Sequence, residues 1–290
     1  MPLRDAPAAP HPARWRAYVR LARPHHWIKN GFVAAPAVFA TLPANADTLL
    51  RVGGGIAAFC LASSVVYVLN DLHDVDRDRA HPGKARSRPI ASGAVSPRGA
   101  TFLAGALLAL LAAQLAAFPA AALPVAAYLA LNVAYTLRLK QTPVVDLFCI
   151  ASGFVLRVVA GAAVVAVPLS SWMLITTLSL SLYLATLKRR QELALSGDEG
   201  RAVLRAYSLP LLDGYAQTAA SASIVFYGLY VSTVRPQLAP TLPLVLFGIF
   251  RYGYVVNRLG FGESPPDALW TDRWLLAVVV VWGATCVVLM

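Results

Sequence analysis

Long apolar runs recur along the whole chain of 290 residues, separated by short polar breaks. A helix that crosses a bilayer needs roughly 20 apolar residues. On that measure the pattern predicts an all-α, polytopic membrane protein with nine spans. They fall near residues 27–46, 52–70, 98–118, 120–137, 144–166, 170–187, 211–233, 240–257 and 273–290. Pro119, Pro143, Pro168, Pro210 and Pro240 lie near starts or breaks of these runs, where proline is best tolerated. The first run is the least regular, and Gly31, Pro36 and Pro43 could break it.

Composition supports this reading. Hydrophobic residues make up 58% and charged residues 13%, against about 25% charged in soluble domains. The mean hydropathy is +0.61. The net charge of +11 would suggest nucleic acid for a soluble chain, but no recognition motif accompanies it, so no nucleic-acid partner is expected. Its distribution fits the positive-inside rule. With the N-terminus in the cytoplasm, 22 of the 25 Lys and Arg fall on the cytoplasmic side, Arg51 and Arg235 on the other, and Arg157 inside a span. An odd number of spans then places the C-terminus outside. The expected setting is the inner (cytoplasmic) membrane, with lipid bilayer as partner. Asp71, Asp74, Asp76, Asp78, Glu192, Asp198, Glu199, Glu263, Asp267 and Asp272 share the cytoplasmic side, and Asp47 is nearly alone opposite. That asymmetry argues against a transporter, which needs access from both faces.

Residues 1–26 have no apolar core, and no cleavable signal peptide is expected. They carry Arg4, Arg14, Arg16, Arg20 and Arg23, interleaved with Trp15, Tyr18 and Leu21. Two readings stay open: a short basic helix, partly interfacial, on an anionic leaflet, or a solvated tail. Cys60, Cys149 and Cys286 each sit in an apolar run without metal-ligand spacing and read as small core residues.

The densest polar block is Asn70–Gly93. If the second span continues as a helix, Asp71, Asp74 and Asp78 share one face while Asp76 points away. Three carboxylates on one face repel unless a cation sits among them. Magnesium is commonly held by one or two carboxylates together with substrate phosphates. Lys84, Arg86 and Arg88 follow; in an extended loop, alternation would aim them to one side, and Pro89 favours extension at Arg88. Arginine forks suit phosphate oxygens. Asn70 could orient a carboxylate or donate to a phosphate. His73 and His81 are read as bystanders. The sixth span ends in Lys188-Arg189-Arg190-Gln191-Glu192, a second polar helix end. Asp146 and Arg157 lie three turns apart on one face of the fifth span, with Gly153 between them. An ionisable residue inside a span is a functional candidate, and structural pairing is the alternative. Tyr135 is either a cavity donor or an interfacial belt residue. Glu192, one turn from Lys188, either orients that lysine or meets ribose hydroxyls.

The run Asn70-Asp71-x-x-Asp74-x-x-x-Asp78, followed by Arg88-Pro89-Ile90-x-Ser92-Gly93, resembles the first Asp-rich motif of the UbiA superfamily of intramembrane prenyltransferases. The resemblance implies a single domain over 27–290, with nine helices in a ring around a cytoplasm-facing cavity and a lateral opening for a polyprenyl chain. Aromatic prenyltransferases of the superfamily carry a second, DxxxD motif after span six. Here Lys188-Arg189-Arg190-Gln191-Glu192-Leu193 stands instead, then Asp198-Glu199. With Arg23-Pro24-x-x-Trp27-x-Lys29-Asn30, the run Gly153–Gly161, and Gly262-Glu263…Asp272-Arg273, the chain is similar to the branch that transfers phosphoribose to polyprenyl phosphates.

That branch implies Mg2+, 5-phosphoribosyl diphosphate (PRPP) and a polyprenyl phosphate as partners, and is compatible with a homo-oligomer. Asp71, Asp74 and Asp78 would hold the metal. Lys188 would join them as catalytic. Lys29, Asn30, Asn70, Lys84, Arg88, Tyr135, Lys140, Asp146, Arg157, Arg189 and Glu192 would bind substrate. The implied chemistry is an inverting displacement at the anomeric carbon through an oxocarbenium-like state. The nucleophile is already anionic, so no strong base is required. The rivals are a prenyl transfer from a prenyl diphosphate and, more remotely, a transporter or scaffold.

Overall fold

The computed structural model describes residues 14–80, 82–196, 202–259 and 265–290, and within them every regular element is helical. His81, Asp198, Glu199, Gly262 and Glu263 lie outside the described residues. The chain groups into two compact units. The first comprises residues 1–27 and 60–113, the second residues 28–59 and 114–290.

In the first unit, α1 (Arg14–Ala22) packs with the second half of α3 (Ala46–His73) and the start of α6 (Pro97–Ala117). Ala17 and Leu21 of α1 are buried with Val68, Ile90, Val95, Ala100 and Ala104. Tyr18 packs beside them, while Trp15 and Val19 stay exposed. Trp27 Nε1 donates to Ser64 Oγ at 3.1 Å, and that hydroxyl donates to the Ala22 carbonyl at 2.9 Å. These bonds tie the end of α1 to α3. Past α3 the chain turns once at Asp74 and resumes as α4 (Val75–Ala80), then α5 (Pro82–Ser87). The expected extended loop at 84–88 is thus a short helix: Pro82 occupies its first position, where proline fits. Pro89 disfavours helix at Arg88, and α5 stops at Ser87. Gly93, at φ +78°, closes the following turn and donates its N–H to the Ile90 carbonyl.

In the second unit, the expected first span is broken. Residues Pro24–Ala34, which begin in the first unit, form a 3-10 stretch, and α2 (Ala35–Phe39) adds little more than a turn. Pro24, Gly31 and Pro36 account for this, since each interrupts regular helix. The other eight expected spans each fall on a helix: α3, α6, α7 (Ala122–Leu137), α8 (Val145–Val164), α9 (Ser171–Ser196), α10 (Leu209–Thr233), α11 (Leu242–Leu259) and α13 (Arg273–Leu289), with α12 (Pro265–Thr271) before the last. Among the described residues, five segments are long and apolar enough to cross a membrane: Ala46–His73, Pro97–Ala117, Pro119–Leu137, Val145–Val164 and Pro236–Arg258. The 17-residue α13 is shorter. α9 and α10, at 26 and 25 residues, are long enough but more polar. Their most extensive packing is against each other, and α9 buries Thr177, Ser179, Ser181 and Thr186. Large apolar side chains point outward, among them Leu123, Phe250 and Val288, as lipid-facing positions should. All three cysteines are buried, and none forms a disulfide.

Gly161 sets how closely α8 approaches the 3-10 stretch. A Cβ there would stand 2.1 Å from the Val33 carbonyl oxygen and 3.0 Å from Pro36 Cδ.

Candidate active site

In the first unit the acidic block keeps the expected facing. Asp71 and Asp78 are buried, Asp74 is half-buried, and the Asp76 side chain is 94% exposed. The register survives the turn at 74 because Asp74 N–H donates to the Asn70 carbonyl and Asp78 N–H to that of Asp74. Basic side chains meet this face. Arg23 Nη2 lies 2.7 Å from Asp71 Oδ1, and Arg88 Nη1 bonds the same oxygen. Lys84 Nζ and Arg88 Nε stand 3.9 and 4.0 Å from the carboxylate of Asp78. Helix α5 brings this about: Lys84 and Arg88 are one turn apart, while Arg86 points to solvent. Arg23 also stacks 5.0 Å from the ring centre of Tyr67.

Asp71 Oδ2 is buried without a hydrogen-bond partner. A buried carboxylate oxygen left so is costly, and it is the atom a hard cation would satisfy. Among the described residues no three His, Cys, Asp or Glu side chains converge as a metal cage. A site with few protein ligands completed by phosphate oxygens suits magnesium, so the residues present fit that ion.

The second unit holds two further clusters. In the first, Arg189 of α9 is 1% exposed and uses all three guanidinium nitrogens. Nε donates to Asp146 Oδ2 at 2.7 Å, Nη1 to Glu192 Oε2 at 2.5 Å and Nη2 to the Tyr135 hydroxyl at 3.0 Å. Asp146 also accepts from the Tyr207 hydroxyl at 2.7 Å. Burial, then the bond to Asp146, pushes the Tyr207 phenol well above its usual range, so it stays protonated. Lys140 is buried in the 3-10 turn Leu139–Gln141, and Lys188 is half-buried on α9.

In the second cluster Arg157, also buried, donates from Nε to Asn30 Oδ1 at 2.8 Å and from Nη1 to the Gly153 carbonyl at 2.7 Å. The Tyr128 hydroxyl lies 3.4 Å from Nη2, and the rings of Phe59, Tyr128 and Phe154 surround the guanidinium. Asp146 and Arg157 therefore share a helix face without sharing a cluster. Lys29, next to Asn30 on the 3-10 stretch, is half-buried.

Within the first unit the structure brings Asp71, Asp78, Lys84 and Arg88 together, with Asn70 and Asp74 on the same segment. Within the second it brings together Tyr135, Asp146, Arg189 and Glu192, and separately Asn30 and Arg157. Sequence reasoning left out Arg23, Tyr128 and Tyr207 as site residues. Arg23 stands in a motif that carried a signal; Tyr207 lies in a polar connection with none.

All-helical, apolar and provided with buried charge clusters, this is an integral membrane protein. The chain belongs to the UbiA prenyltransferase family, which it matches over residues 31–277. It is 35% identical to decaprenyl-phosphate phosphoribosyltransferase of Mycolicibacterium smegmatis, covering 92% of this chain and 90% of that one. The protein of the same name from Corynebacterium glutamicum is 32% identical over 93% of this chain and 85% of its own. In fold it is similar to a UbiA homolog from Archaeoglobus fulgidus solved with DMAPP and Mg2+, with a TM-score of 0.72, 20% identity, and coverage of 94% of this chain and 100% of that one.

Proposed function

We propose that the chain transfers 5-phosphoribose from PRPP to a polyprenyl phosphate, releasing diphosphate. The observation that carries this is its similarity, over about nine-tenths of both chains, to a decaprenyl-phosphate phosphoribosyltransferase. The α9 sequence agrees. Where an aromatic prenyltransferase is expected to bring a second pair of aspartates, this chain places Lys188, Arg189 and Glu192, with Arg189 committed to Asp146, Glu192 and Tyr135.

In this proposal nine spans surround a cavity open to the cytoplasm, and the face of Asp71, Asp74 and Asp78 would hold Mg2+ through one or two carboxylates at a time, with phosphate oxygens completing its shell. Bound magnesium would offset negative charge on the leaving diphosphate. Lys84 and Arg88 donate to its oxygens, with Asn70 and Lys188 as further donors. Lys29, Asn30 and Lys140 hold the remaining phosphate groups, those of the 5-position and of the lipid. Tyr135 and Glu192 face the ribose hydroxyls, and Arg189 and Asp146 fix those two side chains. Arg157 donates to Asn30 Oδ1 and so fixes the orientation of that side-chain amide. An acceptor phosphate oxygen forms the new bond to the anomeric carbon as the bond to diphosphate breaks, with inversion. The acceptor is anionic at neutral pH, so no residue need remove a proton.

The test is direct. Purified protein with Mg2+, polyprenyl phosphate and radiolabelled PRPP should move label into the organic phase. Label that stays in water, with transfer from a prenyl diphosphate instead, would overturn the proposal.

A further inference from the structure

The head of α8 is strained, and beyond its own backbone hydrogen bonds a distant hydroxyl braces it. Val144 precedes the helix at φ +67° and ψ −46°. The Val145 N–H donates to the Pro143 carbonyl at 2.8 Å across it. These are the marks of a γ-turn of the rarer, strained hand. A β-branched residue at positive φ is an outlier, and such positions persist only where their surroundings over-determine them. Val144 is itself 39% exposed, so packing of its side chain does not hold the turn. What meets the backbone is Tyr207. Its hydroxyl accepts the Val144 N–H at 2.7 Å and donates to Asp146 Oδ1 at 2.7 Å. The phenol uses its one proton and one lone pair in a single bridge. Its ring is anchored among Leu147, Ala185, Val203 and Leu212.

The bridge ties the strained turn to the proposed machinery. On one side lies the short connection from Lys140 through the strained turn at 144. On the other lies Asp146, which fixes Arg189 and through it Tyr135 and Glu192. We infer that Tyr207 is a positioning residue for the transfer: its hydroxyl latches the strained turn and the Asp146 carboxylate in one register, and so sets the Arg189 cluster against Lys140. This rests on the phosphoribosyl-transfer reading for its functional half. Its structural half stands on the bridge alone.

The test uses the full chain in lipid nanodiscs with three variants. Tyr207→Phe keeps the ring and removes the bridge. It should speed amide hydrogen exchange at residues 144–146 and lower kcat/KM for PRPP about tenfold, because small misplacements of binding groups cost rate steeply. The melting temperature should move by only a few degrees. Val144→Gly relieves the positive φ, which glycine adopts without penalty, and should by itself leave activity near wild type. Combined, the two should lose only about threefold, because an unstrained turn depends less on the latch; such non-additivity marks coupling. Unchanged exchange in Tyr207→Phe overturns the latch. Faster exchange with unchanged kcat/KM, or strictly additive losses, overturns the positioning role. Wild-type protein that exchanges as expected but transfers no phosphoribose overturns the functional reading beneath and leaves the latch standing.

Discussion

A carboxylate buried between two arginines and a half-buried one are different probes of the same acidic face. Asp71 accepts from both Arg23 and Arg88 through one oxygen. Changing it to Asn takes the anion from Arg23 and leaves Arg88 the more distant Asp78, and removing one partner of a buried pair typically costs about 3–5 kcal/mol. Asp71→Asn should therefore lower both the melting temperature and activity. Asp74, half-buried on the same face, is the cleaner probe. Asp74→Asn should reduce turnover by about 100-fold or more, on the scale of lost transition-state electrostatics, with the melting temperature within a few degrees of wild type. Activity assays beside thermal unfolding separate the two; full activity in Asp74→Asn would remove the metal role. The facing of these aspartates was legible in the sequence, because 100° per residue survives a single-residue turn. The partner Arg23 was not. It reaches Asp71 from 48 residues away, and helical periodicity reports which face a residue shares, not what that face meets. Tyr207, 61 residues from Asp146, was hidden for the same reason.

Between elements, two glycines of one motif carry different weight. A Cβ at Gly153 would meet Tyr128 at 3.6 Å and Arg157 Nη1 at 3.7 Å, ordinary contacts. At Gly161 it would strike the backbone of Val33, which cannot rotate away. Gly161→Ala should destabilise by roughly 1–3 kcal/mol, as overpacking does, and weaken activity by shifting the stretch that bears Asn30. Gly153→Ala should be nearly silent in both unfolding and turnover assays. The join of α11 to α13 makes a pH prediction. Asp272 caps α13 through the Leu275 N–H at 2.8 Å and receives the Arg251 fork at 3.0 and 2.6 Å. The hydrogen bonds from Arg251 hold its carboxyl below the usual carboxylate range. A depressed folded-state pKa gives stability that is present above the unfolded value and is lost as pH falls through the folded one. Asp272→Asn keeps a good cap and loses the charge. Wild type should melt a few degrees above it from pH 8 to about 5, with the gap closing below about pH 4; a gap constant to pH 3 would contradict the pairing. The helices at the positions expected for spans two to nine could be placed from apolar length and proline position because those features act locally. The helix at 82–87 was missed because alternation of three basic residues suits a strand-like loop as well as a turn of helix; Pro82 at its first position was the available clue.

For the molecule as a whole, the charge map makes orientation testable. Arg51 and Arg235 are the two bases expected on the outer side. Arg51 Nε lies 2.8 Å from Asp47 Oδ2, an i,i+4 pair that neutralises itself. Arg235 donates to the Phe39 carbonyl at 3.2 Å. A membrane-impermeant thiol reagent applied to intact cells should label Asp47→Cys. It should label Arg86→Cys only after the membrane is opened. Cys60, Cys149 and Cys286 are buried, so the native background should be low. Labelling of Arg86→Cys in intact cells would place Lys84 and Arg88 outside, away from a cytoplasmic donor, and would defeat both the orientation and the proposed transfer.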